Sequence, residues 1–376
     1  QSSSILSFES LITVTASDYR FIVSEQLQSI GIDPGPILIE PTSKNTASAI
    51  LAATIFAQKR NPDAILLVAP SDHLIPNHIT FHETIFKGLN EVSNGNIMTF
   101  GVRPTRADTG YGYLEMSEVS KDGPVKVAHF HEKPNHKAAE SMIKTNNFLW
   151  NAGIFMFQAK TMISAFQKFS PNLLKQVSEA IELGQPDLGF FRIDPDTWNE
   201  CEDISIDYAI MERADNLMTI PFDGGWSDLG GWDAVWHEMG PDKDGVAVSK
   251  NAHAFDCKNT LLRSESSNQE IVGLGLKDII AVAMSDAVLV AHKDQTQNLK
   301  MAISKLKKRK IKQVELFPKD YRPWGWFEIL ITDKKFQVKR IHVKPGAALS
   351  LQSHEHRSEH WVVVEGSART TVKDEI

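Results

Sequence analysis

Three short stretches bring side chains of catalytic type close together. HEHRSEH (354–360) sets three histidines and two glutamates within seven positions. His354 and His356 are two apart, so on a strand they share one face, and Glu359 follows. Imidazole plus carboxylate suits Zn2+, Mn2+, Fe2+ or Co2+; the alternative is a surface strand with solvated polar residues. On that strand Glu355 and His360 would point elsewhere. PSDH (70–73) places Ser71 and Asp72 directly after six apolar residues, AILLVA (64–69). Ligands of open α/β sheets bind outside the carboxyl ends of strands, and Mg2+ is commonly held by one or two carboxylates plus phosphate oxygens. Asp72 therefore reads either as a metal carboxylate or as the cap of the next turn. In GGWSDLGGWDAVW (224–236), glycines crowd Asp228 from both sides. Glycine lets backbone approach a ligand closely, so Asp228 is either a second Mg2+ carboxylate or part of a turn with packing tryptophans.

Two further stretches carry weaker signals. TGYGYLE (109–115) is glycine-rich but fits neither a P-loop nor a dinucleotide fingerprint. FHEKP (130–134) offers Glu132, which can accept hydrogen bonds from sugar hydroxyls, beside Lys133, which can neutralise a phosphate as a point charge. The alternative for that pair is an exposed turn before Pro134.

These residues need a scaffold, and the patterning describes one. Strand-like LITV (11–14), ILIE (37–40) and AILLVA alternate with helical segments at 18–31 and 46–60, the pattern of an α/β domain. Gly31 caps the first helix, and the second stops at Asn61-Pro62. AILLVA has the look of a strand buried on both faces of a parallel sheet. IMTFGV (97–102), VKVAHF (125–130) and GIFMF (153–157) read as strands; 136–145, 160–168 and 171–183 read as helices. Short β-rich pieces over 245–292 suggest a small all-β or β-helical module, with no strict repeat period evident. Leu299, Ala302, Ile303 and Leu306 form one apolar stripe on a helix over 295–312, whose last turns carry the basic run KLKKRKIK. Beyond Pro318, WFEILIT, FQVKRIHV, ALSLQ, HWVVVEG and ARTTV have β-barrel texture. This divides the chain into 1–242, 243–294, a linker helix at 295–317, and 318–376.

Composition narrows the partners. A net charge of −7 argues against general nucleic-acid binding. No apolar run approaches the roughly 18 residues of a membrane span. The only two cysteines, Cys201 and Cys257, read as reduced thiols of a cytoplasmic protein rather than a disulfide. The N-terminal stretch has neither the basic nor the long apolar region of a signal peptide. Oligomeric state is left open, a homo-oligomer included.

Taken in order, EPTSKNTASAI (40–50), VAPSDHLI (68–75), FGVRPTRADTGYGYLE (100–115), HFHEKP (129–134), FLWNAGIFMF (148–157), SIDYAIMER (205–213) and GWSDLGGWDAV (225–235) resemble the sugar-nucleotidyltransferases. The likeness is greatest to bacterial mannose-1-phosphate guanylyltransferases of the long type, and it runs from about residue 11 to the end. It implies a Rossmann-like transferase domain, a β-helical module and a partial cupin β-barrel with mannose-6-phosphate isomerase activity. It further implies that Asn45, Thr46 and Ser71 lie on the nucleotide side and that Asp72 and Asp228 share Mg2+. Gly110, Tyr111, Glu132, Asn151, Gly153 and Asp207 would face the sugar, with Lys133 on its phosphate. Asp72, Asp228 and Lys133 would be the catalytic set. The implied substrates are GTP, mannose 1-phosphate and, for the cupin, mannose 6-phosphate. His354, His356 and Glu359 would be three of four cupin ligands, the fourth expected beyond Ile376, with Zn2+ or another divalent transition metal.

The chain also departs from the family. Lys44 and Ser48 stand where Arg and Pro are usual, and the opening strand with its GGxGxRLWPxSR loop has no counterpart. The expectation is that these 376 residues alone transfer little or no guanylyl group. Two alternatives accompany it: a guanylyltransferase with a purely structural cupin, and a non-catalytic sugar-nucleotide-binding relic.

Overall fold

In a computed structural model that describes residues 7–371, the chain forms two compact units, 1–316 and 317–376. In the first unit, strands and helices alternate as the apolar patterning requires. The order is β1 (Thr13–Ala16), α1 (Arg20–Ser29), β2 (Ile37–Glu40), α2 (Asn45–Arg60), β3 (Ile65–Val68), α3 (His78–Ser93) and β4 (Ile97–Val102). Then come β5 (Tyr113–Met116), β6 (Val125–His131), α4 (His136–Ile143), β7 (Phe148–Gln158), α5 (Ala159–Phe169), α6 (Pro171–Glu182), β8 (Gln185–Asp187), β9 (Phe190–Arg192), α7 (Pro195–Asn199) and β10 (Leu217–Pro221). Gly31, with φ +77°, follows α1 in the left-handed conformation that ends helices. Asn77 and Asn135 cap α3 and α4 by accepting from the backbone N–H three residues on, at 3.0 Å each.

The strands divide into two sheets. One has the order β1-β2-β9-β8, parallel except for the β8–β9 hairpin; the other runs β3-β7-β4-β10-β6-β5. This corrects the expectation for AILLVA. β3 is an edge strand whose one partner is β7, antiparallel, and Ile65 at its start is 40% exposed. Six apolar residues show that a strand can be buried but do not choose its neighbours. The eleven-residue β7 supplies the partner, pairing with β3, β4 and β5. α2 packs on both β1 and β3, each an edge strand of its sheet. One apolar core runs beneath both sheets, with Leu38, Leu51, Phe157, Phe166 and Trp198 fully or almost fully buried.

α8 (Trp232–Glu238) then leads into a parallel β-helix made of β11 (Val246–Val248), β12 (Ala252–Phe255), β13 (Thr260–Ser264), β14 (Ile271–Leu274) and β15 (Ile279–Ala283), closed by the antiparallel β16 (Val288–His292). Its later coils are 19 residues apart, since Ala252 pairs with Ile271 and Leu261 with Ile280, whereas the first step is 14, with Val246 paired to Thr260. The corners recur too. Asp256 and Gly275, and Asn259 and Asp278, are 19 apart and all have positive φ. α9 (Leu299–Lys308) follows; none of its residues is buried, and Ile303 and Leu306 of the apolar stripe are exposed. Both cysteines are free and buried, and among the described residues no helix is long and apolar enough to cross a membrane.

The second unit contains one antiparallel sheet of β17 (Lys319–Arg322), β18 (Gly325–Thr332) and β19 (Gln337–Val343). The expected strands ALSLQ and HWVVVEG do not form. No ladder bonds pair residues 348–364, and Leu351, Val362 and Val364 are almost fully exposed. The expected strand ARTTV does not form over its described residues either, and its last residue lies outside them.

Candidate active site

The SDH and WSD turns are stitched together by backbone. Leu74 N–H donates to the Ser227 carbonyl at 2.8 Å and Ser227 N–H donates back to Leu74 at 3.1 Å. Asp72 lies two residues before one partner and Asp228 one residue after the other, so this bridge holds the two carboxylate turns side by side. Asp72 itself, with Ser71, is exposed in the turn leaving β3. His73, between them, accepts from Trp226 Nε1–H on its Nδ1 at 3.2 Å, which leaves the proton of the neutral ring on Nε2. Burial holds that imidazole below its ordinary range, although the Asp72 and Asp228 carboxylates both pull the other way.

The TGYG turn reaches the same place. Tyr111 donates its hydroxyl to Asp228 Oδ1 at 2.9 Å. Its ring sits edge-on to Trp150 and Trp226, with centroids 5.0 and 5.3 Å away. Burial, with the Asp228 charge second, raises the phenol above its usual range and keeps the donor proton in place. Asp108 folds the turn by accepting from Gly110 N–H at 2.9 Å, and Arg106 pairs with Asp108 at 2.8 Å while its guanidinium lies over Trp150.

The remaining candidates form the other wall. Gly112 lies so close to Glu132 that a Cβ there would sit 2.7 Å from Oε2. Lys133, exposed and at φ +44°, bends its ammonium back to Glu132 Oε1 at 3.3 Å. Burial raises the Glu132 carboxyl while the Lys133 charge opposes the shift. Asn151 N–H bonds Gly112 O at 2.8 Å, and the Asn151 amide donates to Asp207 Oδ1 at 3.1 Å while its carbonyl accepts from Thr99 at 2.7 Å. Gly153, at φ +67°, keeps β7 open beside the imidazole of His73. Asp207 starts a single π-helical turn (Asp207–Met211), a distortion common at functional sites. Burial, with the Glu132 charge second, lifts its carboxyl to about 6.

That turn leads to the α2 N-terminus, where Thr46 Oγ1 accepts from Ile206 N–H at 2.9 Å. Asn45, at φ +64°, bonds only locally, its Oδ1 accepting from Thr46 N–H at 2.9 Å. Lys44 reaches the Asn199 carbonyl at 2.6 Å, and Ser48 is fully buried with no protein partner for its hydroxyl. From Thr46 through Ile206, Asp207, Asn151, Gly112 and Glu132, and on through Tyr111, Asp228 and the SDH turn, these residues form one continuous chain of neighbours.

Three residues of this region escaped the sequence reading. His73 and Trp226 link the two carboxylate turns; their only signal was adjacency to Asp72 and to Ser227-Asp228. Glu40 ends β2, where its Oε1 is buried without a partner and burial raises the carboxyl to about 7. A polar residue closing an apolar strand was the available clue.

The histidine cluster differs from expectation. With no strand at 354–360, the alternation that would align His354 with His356 does not operate. His356 is 95% exposed and faces Glu355 at 3.9 Å. His354 meets Glu359 at 3.1 Å, and Arg357 contacts both, at 2.8 and 3.1 Å. A Trp361 hydrogen bond, with His354 and Arg357 nearby, holds the Glu359 carboxyl below its usual range. A guanidinium thus contacts both the histidine and the carboxylate while His356 stands apart, and the three donors do not converge on a common point. Among the described residues no group of three or more His, Cys, Asp or Glu side chains is gathered as a metal site.

The nucleotidyl transferase family model matches residues 2–244, the mannose-6-phosphate isomerase/GMP-like β-helix domain 250–306, and the mannose-6-phosphate isomerase C-terminal domain 309–376. The xanthan biosynthesis protein XanB of Xanthomonas campestris pv. campestris (strain B100) is 38% identical over 97% of this chain and 77% of its own length. This chain belongs to the mannose-1-phosphate guanylyltransferase family. Another member, the Salmonella montevideo mannose-1-phosphate guanylyltransferase, is 36% identical over 97% of this chain and 78% of its own length. Among solved structures, one described as a mannose-1-phosphate geranyltransferase from Thermus thermophilus aligns with TM-score 0.67 and 25% identity, covering 78% of this chain and 84% of that one. A mannose-6-phosphate isomerase from Helicobacter pylori aligns with TM-score 0.54 and 28% identity, covering 58% of this chain and 85% of that one. The chain is thus an enzyme of the guanylyltransferase family with isomerase-type sequence at its C-terminal end.

Proposed function

We propose that the chain of neighbours around the joined SDH and WSD turns is the site where GTP and mannose 1-phosphate bind for the formation of GDP-mannose. The observation that carries this is the reciprocal Leu74–Ser227 bridge, which sets two acidic turns beside a wall of sugar-compatible groups. In the reaction a phosphate oxygen of mannose 1-phosphate attacks the α-phosphorus of GTP. The new O–P bond forms as the bond to the β-phosphate oxygen breaks, and pyrophosphate leaves.

Such a transfer depends on positioning and charge neutralisation. Asp72 and Asp228 are hard oxygen donors of the type Mg2+ takes; they would hold it, and the ion would supply positive charge against the phosphates. Tyr111 orients Asp228. Lys133, released from Glu132, neutralises the sugar phosphate as a point charge, and Glu132 and Asn151 accept from and donate to sugar hydroxyls. The raised carboxyl of Asp207 lets it serve as donor or acceptor near neutral pH. Gly153 leaves the sugar room beside His73.

Preference for guanine is supported by Glu40. A buried carboxylate with an unpartnered oxygen complements adjacent N–H donors, and guanine presents N1–H and N2–H side by side where adenine and uracil do not. Glu40 lies five residues before Asn45, at the carboxyl end of a parallel strand, where α/β sheets bind ligands.

The test is titration of GDP-mannose into the chain, following the fluorescence of Trp150 and Trp226 with calorimetry alongside. Saturable binding that mannose 1-phosphate displaces and that Glu132→Gln weakens is the expected result. Equal affinity for GDP-mannose, ADP-mannose and UDP-glucose would overturn it. No step is assigned to residues 354–360, whose donors do not assemble a metal site.

A further inference from the structure

α8 begins at Trp232, four residues after Asp228, yet its apolar side chains do not join the transferase core. Trp232, Trp236 and Met239 pack instead on Ala247, Leu261, Ile280 and Val282, the interior of the β-helix. A lysine from the far end of that module fastens the contact. Lys293 follows β16, and its side chain is 9% exposed. Its ammonium lies 3.0 Å from the Trp236 ring centroid, 3.5 Å from Asp233 Oδ1 and 2.8 Å from Asn259 Oδ1. Asn259 is itself held by Asp278, one coil on, and Asp278 O accepts from Lys293 N–H at 2.9 Å. Trp236 also donates Nε1–H to the Gly245 carbonyl at 2.9 Å. A buried ammonium that meets a carboxylate, an amide oxygen and an aromatic face has few alternative positions.

The segment between the Leu74–Ser227 bridge and this anchor is only Asp228-Leu-Gly-Gly. Leu229 takes φ +44°, and a Cβ at Gly230 would fall 2.5 Å from Asp228 Oδ2. The Asp228 loop is therefore stretched between two supports, the SDH turn on one side and the β-helix on the other.

We infer that Lys293 is a positioning residue for Asp228: by fastening α8 to the β-helix, it makes that module the second support of the carboxylate loop. This rests on the proposed metal role of Asp228, deepening it by assigning a task to the β-helix.

The experiment compares the whole chain with its Lys293→Met and Asp233→Asn variants. Met keeps the unbranched stem against Trp236 and removes the charge; Asn at the half-exposed Asp233 is the gentler change. Amide hydrogen exchange is followed over residues 225–231, and Mn2+ binding by electron paramagnetic resonance. Exchange in that loop should quicken in both variants while the α2 and β7 amides are unchanged. Mn2+ affinity should fall by about tenfold in Lys293→Met, the scale seen when the support of a metal ligand is lost. Unchanged loop exchange in both variants, with only a lower melting temperature, would overturn the inference. Mn2+ binding by none of the three proteins would count against the metal reading of Asp228 itself, and loop exchange would then decide the coupling alone.

Discussion

The hydroxyl of Tyr111 and Oδ1 of Asp228 are 2.9 Å apart although 117 residues separate them in sequence. A donor to a carboxylate fixes the rotamer that the carboxylate offers to a ligand. Hydrogen bonds to charged groups are worth about 1.5–3 kcal/mol, and the partial exposure of this pair argues for the lower figure. Tyr111→Phe should therefore cost about 1.5 kcal/mol in urea unfolding and weaken GDP-mannose binding in Mg2+ several-fold. The ring packing between Trp150 and Trp226 is kept, so unchanged stability and unchanged binding would show that the phenol ring, rather than its hydroxyl, is what matters.

Removing either acidic charge should separate metal binding from folding. Asp72 is exposed in its turn, so Asp72→Asn should leave the melting temperature within about 2 °C, as surface substitutions do. Asp228→Asn keeps an oxygen for Tyr111 to donate to. Both variants are expected to lose Mn2+ binding measured by electron paramagnetic resonance. Unaltered affinity in both would remove these carboxylates from the metal site.

Buried carboxyls give a directional pH dependence. Glu40 is raised from 4.5 to about 7 and Asp207 from 3.8 to about 6, each mainly by burial. Across those windows the folded chain holds protons that the unfolded chain has released, so stability falls as pH rises. The decline should start near pH 4, as Asp207 departs from its unfolded value, and end near pH 7 with Glu40. For Glu40 alone it amounts to about 3 kcal/mol, at 1.36 kcal/mol per unit. Glu40→Gln should flatten the upper part of the profile in urea melts at pH 5, 6 and 7.5. It should also narrow the preference for GDP over IDP, because the second guanine N–H loses its acceptor. A profile that keeps its slope in the variant would assign the titration elsewhere.

The legible part of the molecule was the part with local chemistry. Glycine-flanked Asp228, Asp72 at a strand end, and the Glu132-Lys133 pair all announced themselves through residue type beside turn signals, and all lie along one chain of neighbours. Pairing was less legible. AILLVA carries its apolar content in sequence, but its single antiparallel partner is set by β7 more than 80 residues later. The 19-residue coil of the β-helix was hidden because its corners are filled by different residues able to adopt positive φ, Asp256-Cys-Lys-Asn259 in one coil and Gly275-Leu-Lys-Asp278 in the next. The division at residue 242 followed the motif, whereas Trp232 and Trp236 answer to the β-helix core on the far side of it. HEHRSEH differs in the opposite way: its spacing implies a shared face only if a strand forms, and among the described residues no partner strand pairs with it.

Gly112 gives the sharpest test of the sugar wall, because the demand on it is steric rather than conformational. Its φ is not in the left-handed region, so alanine is tolerated by the backbone. The added Cβ, however, would lie 2.7 Å from Glu132 Oε2 and 3.1 Å from the Phe130 ring. The Glu132 carboxylate sits at the end of a side chain and can swing away, whereas Phe130 packs on the main core and has less freedom. Gly112→Ala should thus cost about 1–2 kcal/mol of stability, typical of mild overpacking, while displacing Glu132 from its place beside Lys133. Affinity for mannose 1-phosphate should fall at least as far as in Glu132→Gln, with GDP binding unaffected. Combining the two substitutions should give little further loss, since both act through one carboxylate. Fully additive losses in calorimetric titrations would mean that Gly112 contacts the sugar independently of Glu132.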